Sequence, residues 1–100
     1  MEEETGDLIR TYLATTPAIL SEIEEAIDAH DVASVVRPAH SLKSSSANVG
    51  ASRISEVARK VEYAARDGQG GEAFKYGLML RNLLKQTQPE LLHIAEKGQV

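Results

Sequence analysis

Apolar positions recur at spacings of three and four along almost the whole chain, the period of helices with one buried face. Thr5, Gly6 and Asp7 can start a short helix carrying Leu8, Ile9, Tyr12 and Leu13. Thr16-Pro17 reads as an N-cap followed by proline at the first helical position. From there Ile19, Leu20, Ile23, Ala26, Ile27 and His30 keep helical register. Asp31 reads as the cap of a helix over about Val32 to Asn48, and Gly50 as its left-handed terminator. Ser52 is placed to cap the next helix, with Ile54, Val57, Ala58, Val61, Ala64 and Ala65 inward. After the loop with Gly68, Gly70 and Gly71, a long last helix is expected from near Glu72, carrying Phe74, Leu78, Leu80, Leu83 and Leu84.

Two prolines disturb this pattern. Pro38 removes the bond to the Ser34 carbonyl, yet Val35 and Val36 fit the apolar stripe, which predicts one kinked helix. Pro89 should interrupt or kink the last helix near Gln88, with Leu91, Leu92 and Ile94 resuming it to about Glu96. No segment alternates convincingly enough for a strand, and no repeat has a fixed period. The expected fold is all-α: an antiparallel four-helix bundle with a short N-terminal helix and a C-terminal helical extension. In numbers, this is a flexible segment at 1–6, a bundle at 7–88, and an extension and tail at 89–100.

Composition narrows the chemistry. One hundred residues fit a single domain, and the four aromatics predict an aliphatic, alanine-rich core. Without cysteine there is no disulfide and no thiolate metal site. A net charge of −4 argues against a nucleic-acid surface. No apolar run approaches the roughly 20 residues that span a bilayer, and the acidic start is not expected to be a signal peptide.

The chemistry concentrates in residues 39–51, AHSLKSSSANVGA. Val35, Ala39, Leu42, Ser46 and Val49 form one stripe, the expected buried face. Leu42 follows His40 by about 200° of helix turn, so His40 faces outward. Val36, Arg37, Lys43, Ser44 and Ala47 are its neighbours on that face. An outward imidazole among small side chains is a nucleophile that another macromolecule can reach. The three histidines lack metal-ligand spacing, and no carboxylate is expected to pair with them. His30 and His93 are read as residues without chemistry.

This run resembles the phosphorylation motif of histidine-containing phosphotransfer domains of two-component phosphorelays. That motif reads His-x-Leu-Lys-Gly-Ser, then small residues, then Gly-Ala. His40, Leu42, Lys43, Ser45, Gly50 and Ala51 match it in register, and Ser44 stands where glycine is usual. Ile54, Val57, Ala58, Val61, Glu62 and Ala65 look like the helix that follows. The resemblance implies that His40 accepts a phosphoryl group from a receiver-domain aspartate and passes it to another. Lys43 would stabilise the phosphoryl oxygens. Val36, Arg37, Ser44 and Ala47 would dock the receiver, Ser45 would lend a supporting hydrogen bond, and Gly50 would be structural. No metal or cofactor of its own is implied; Mg²⁺ would come with the receiver. As a phosphoryl carrier without an ATP site, the domain would be monomeric, with no nucleic-acid or direct membrane contact. It would be cytoplasmic, free or within a larger protein such as a bacterial hybrid sensor histidine kinase. Two other readings are a non-catalytic helical interaction module and the phosphoacceptor fragment of an ATP-dependent histidine kinase. Against the latter, Ser41 follows His40 where such fragments usually carry an acid.

Overall fold

The computed structural model describes residues 2–97, with side chains from Gly6 onward. It has five helices: α1 (Glu2–Asp28), α2 (Val32–Asn48), α3 (Ser52–Arg66), α4 (Gly70–Gly77) and α5 (Leu80–Lys97). Among the described residues there is no strand. Helix α1 packs on α2 and α5, α2 on α3, and α3 on α4, in an elongated body of 46 × 18 × 16 Å. Helices α4 and α5 together form the fourth strut of an all-α bundle.

The core is aliphatic and alanine-rich. Ile9, Ile23, Val35, Leu42, Ile54, Val61 and Leu80 are buried, and Ala39, Ala58 and Ala73 let helices approach closely between them. One polar pair is sealed inside: the Tyr12 hydroxyl lies 2.7 Å from Ser46 Oγ across the α1–α2 contact. Pairing satisfies both hydroxyls, so burying them costs little.

Three links have one geometry. Residues 29–31, 49–51 and 67–69 each place their middle residue at positive φ: His30 at 52°, Gly50 at 79° and Gly68 at 74°. The third residue of each donates back to the helix at 2.8 Å: Asp31 N to Ala26 O, Ala51 N to Ser46 O, Gln69 N to Ala64 O. These are Schellman ends, which satisfy carbonyls of the last turn. Glycine fills the left-handed position twice, as its missing Cβ favours. His30 fills it once, so the end of α1 carries strain the other two lack.

Several expected boundaries are corrected. Thr16-Pro17 does not start a helix; α1 runs through it, and the Thr16 hydroxyl bonds back to the Tyr12 carbonyl. The expected short first helix and its successor are therefore one. Residues 2–6, expected to be loose, belong to α1, while Met1 and residues 98–100 lie outside the described residues. His30 leaves the helix face for the left-handed turn, because α1 ends at Asp28. Helix α2 passes continuously through Pro38, whose ring is buried in the packing. Asp31 caps α2 as expected, accepting from Ser34 N at 3.2 Å. Ser52, by contrast, is the first residue of α3; Ala51 takes the cap position, without a side-chain bond.

The last helix is broken where one was expected. A turn at Leu78 and Met79 separates α4 from α5, and both side chains are exposed. Close packing accompanies the break: a Cβ on Gly77 would sit 2.8 Å from Ile27 Cδ1. Conversely, α5 does not break at Pro89, which is exposed, so water can reach the carbonyl it frees. The expected extension is thus the second half of α5, with Leu91 and Ala95 buried.

Candidate functional site

Helix α2 buries Val35, Ala39, Leu42 and Ser46, which turns His40 outward, with 56% of its side chain exposed. Val36 is half-buried on that side, and Arg37, Ser44 and Ala47 are exposed. Helix α3 lies alongside, tied to α2 by Ser55 Oγ donating to the Lys43 carbonyl at 2.9 Å. Small inward residues, Ala39 on α2 and Ala58 on α3, keep the two helices close. That closeness brings a residue of α3 under His40.

The residue is Glu62, whose side chain is only 2% exposed. Its Oε2 lies 3.0 Å from His40 Nδ1. The same oxygen accepts from Arg66 Nε at 3.0 Å, and Arg66 Nη2 lies 2.8 Å from it as an ion pair. The other oxygen, Oε1, lies 2.8 Å from Lys43 Nζ. One buried carboxylate thus gathers an imidazole, an ammonium and a guanidinium.

Burial pushes the Glu62 carboxyl up, but Lys43, Arg66 and His40 outweigh it and hold the group down to about 2. Glu62 is therefore ionised at neutral pH and can only accept hydrogen bonds. The proton in the His40 contact must then sit on Nδ1. A neutral ring so held keeps the lone pair of Nε2, which has no hydrogen-bond partner among the described residues. The carboxylate sets both the tautomer and the ring orientation, and it can balance positive charge that develops on the ring.

The surroundings add two cation–aromatic contacts. Lys43 Nζ and the Arg59 guanidinium lie 5.4 and 5.5 Å from the centroid of the exposed Tyr63 ring. Lys43 is 24% exposed and rests between carboxylate and ring.

Two sequence expectations fail here. The first is that no carboxylate pairs with a histidine; Glu62 does. The signal was present, since Glu62 sits four residues after Ala58 and three before Ala65, an acid at a core register with Arg66 one turn on. The second concerns Ser45, expected to support His40. Its hydroxyl donates instead to the Leu42 carbonyl at 3.3 Å, and it faces Tyr12 and Thr15 of α1. Five residues place it about 140° from His40 around the helix.

The remaining histidines stand apart. His30 packs near Phe74, with ring centroids 6.2 Å apart, and His93 is exposed on α5. Among the described residues no three His, Asp or Glu side chains converge as metal ligands. Nor is any helix among them long and apolar enough to cross a membrane.

No curated protein and no solved structure matches the chain. The sequence model of one family does: the Hpt domain, over residues 7–90. That span takes in α1 from Asp7, all of α2, α3 and α4, the whole Glu62 cluster, and α5 through Glu90. The match covers most of the chain, and the chain belongs to the Hpt domain family, the phosphotransfer domains of two-component relays.

Proposed function

We propose that His40 is the phosphoacceptor of a phosphorelay intermediate, taking a phosphoryl group from one receiver-domain aspartate and yielding it to another. The observation that carries this reading is the contact between His40 Nδ1 and Glu62, which leaves Nε2 as the nucleophile on an exposed face. The Nε2 lone pair attacks phosphorus in line with the aspartyl P–O bond. That bond breaks, and the aspartate carboxylate leaves with its electron pair. The ring becomes an Nδ1–H cation bearing phosphate on Nε2, and Glu62 balances its charge. Passing the group on reverses each step.

Lys43 turns its ammonium from Glu62 Oε1 to the phosphoryl oxygens as they approach. Val36, Arg37, Ser44 and Ala47 form the receiver-facing surface, where small side chains let a partner backbone pass close to His40. The domain uses no metal of its own; the Mg²⁺ of the transfer comes in the receiver. It acts as a monomer in the cytoplasm, free or as a module of a hybrid sensor histidine kinase.

Mixing the domain with phosphorus-labelled receivers tests this. Label should move to the domain, resist base and be lost in acid, as a phosphoramidate is. His40→Gln should take none while its circular dichroism is unchanged, because an exposed position carries little packing energy. ATP and Mg²⁺ alone should not label the domain. Label that persists on His40→Gln would refute the assignment.

A further inference from the structure

Glu62 is served by two permanent cations where one would neutralise it, and the two are not equivalent. Lys43 comes from α2 and holds Oε1. Arg66 comes from Glu62's own helix, one turn on, and puts both Nε and Nη2 on Oε2, the oxygen that also holds His40. The guanidinium is a rigid fork that does not deprotonate, whereas the ammonium is a point charge on a flexible stem.

The proposed transfer asks Lys43 to leave. If Lys43 were the sole counter-ion, its departure would strand a buried carboxylate, which is strongly unfavourable. The carboxylate would then hold the ammonium back from the phosphoryl group. We propose that Arg66 is a positioning residue: it stays on Glu62 as a standing counter-ion, so that Lys43 can move to the phosphoryl group while Glu62 keeps hold of His40 Nδ1. This inference rests on His40 carrying the phosphoryl group.

The charged and titratable groups facing Glu62 are His40 and Lys43 from α2 and Arg66 from α3. Among the described residues, α1, α4 and α5 send none within ion-pair distance of it. The Arg66 side chain is 55% exposed, so replacing it removes charge and hydrogen bonds with little loss of packing.

Uptake from phosphoramidate, a donor too small to need a docking surface, tests this in five proteins: the unsubstituted domain, Arg66→Gln, Arg66→Lys, Glu62→Gln and the Glu62→Gln/Arg66→Gln double variant. Arg66→Gln should slow labelling of His40 about tenfold, and Arg66→Lys should restore it to within about threefold. In a Glu62→Gln background there is no buried charge for Arg66 to neutralise. There Arg66→Gln should cost less than about twofold, a non-additivity that marks action through Glu62. A second readout needs no phosphate: the carboxyl ¹³C titration of Glu62 should move up from about 2 in Arg66→Gln. Equal losses in both backgrounds, no loss in either, or an unmoved titration would each overturn the proposal. Absence of label on the unsubstituted domain would instead refute the phosphotransfer reading, and the titration, read on unphosphorylated protein, keeps the two failures apart.

Discussion

Replacing Glu62 by glutamine gives the most quantitative test of the site, because glutamine imitates the protonated acid in size and neutrality. The carboxyl of Glu62 is held at about 2, against 4.5 for an ordinary glutamate. Each pH unit between those values is worth about 1.4 kcal/mol, so the folded domain favours the ionised form by about 3 kcal/mol. That is a large part of the roughly 5–15 kcal/mol that holds a small domain together. The sign follows from the direction of the shift. A carboxyl with a depressed folded value binds fewer protons in the native state than in the unfolded one. Its contribution is complete above about 4.5 and is lost as pH falls through about 2. Glu62→Gln should therefore unfold about 3 kcal/mol more easily than the unsubstituted domain at pH 7. The two stabilities should converge between about pH 4.5 and pH 2. Urea titrations followed by circular dichroism at several pH values measure this. Other carboxylates affect both proteins alike and cancel in the difference. A difference that stays constant down to pH 2, or one below about 1 kcal/mol at pH 7, would refute an ionised Glu62 held by its three partners.

Other perturbations probe the same helices. Lys43→Gln should slow transfer about ten- to a hundredfold without unfolding the domain, since Arg66 still neutralises Glu62; unchanged rates in both directions would make Lys43 a structural counter-ion only. Ser44 lies one turn beyond His40 on the exposed face, so Ser44→Gly should transfer about as well, at a cost of about 0.5 kcal/mol of helix propensity. Ser44→Gln should block docking with the helix intact, and failure of Ser44→Gly with a normal circular-dichroism spectrum would point to the hydroxyl instead. His30→Gly should relieve the left-handed strain at the end of α1 and raise stability by about 0.5–1 kcal/mol, read as a Tm increase of a few degrees. A lower Tm would mean that the His30–Phe74 contact outweighs the strain.

What the sequence could and could not yield follows from the range of each interaction. The stripe Val35, Ala39, Leu42 and Ser46 is set by helix period alone, and it fixes His40 as exposed before any neighbour is known. Gly50 could be read in the same way, since its positive φ is a demand of its own turn. The prolines misled because helix signals are local and packing is not. Pro17 after threonine looks like a start, yet Ile9 and Tyr12 on one side and Leu20 and Ile23 on the other bury into one core, so a single helix wins. Leu78 keeps helical spacing from Phe74, which predicts one continuous last helix, but the turn at 78–79 breaks it and puts Leu78 in solvent.

Glu62 is the instructive miss. Nothing within four residues of His40 shows that an acid lies under it; the two are 22 positions apart and meet only through the α2–α3 contact. Yet the register of α3 held the clue. Ala58, Val61 and Ala65 mark the inner face, and an acid within that face must be paired or neutral. Arg66, at i+4, offers one partner, and the antiparallel return through Gly50 brings α2 and its His-x-x-Lys pair to the other side. A carboxylate in a helix core, followed one turn later by arginine and facing His-x-x-Lys across a three-residue turn, is therefore a pattern that sequence alone can carry. Its physical content is that burial is tolerated only because the chain supplies two cations and an N–H, and those same groups leave the one unpartnered ring nitrogen where a partner can reach it.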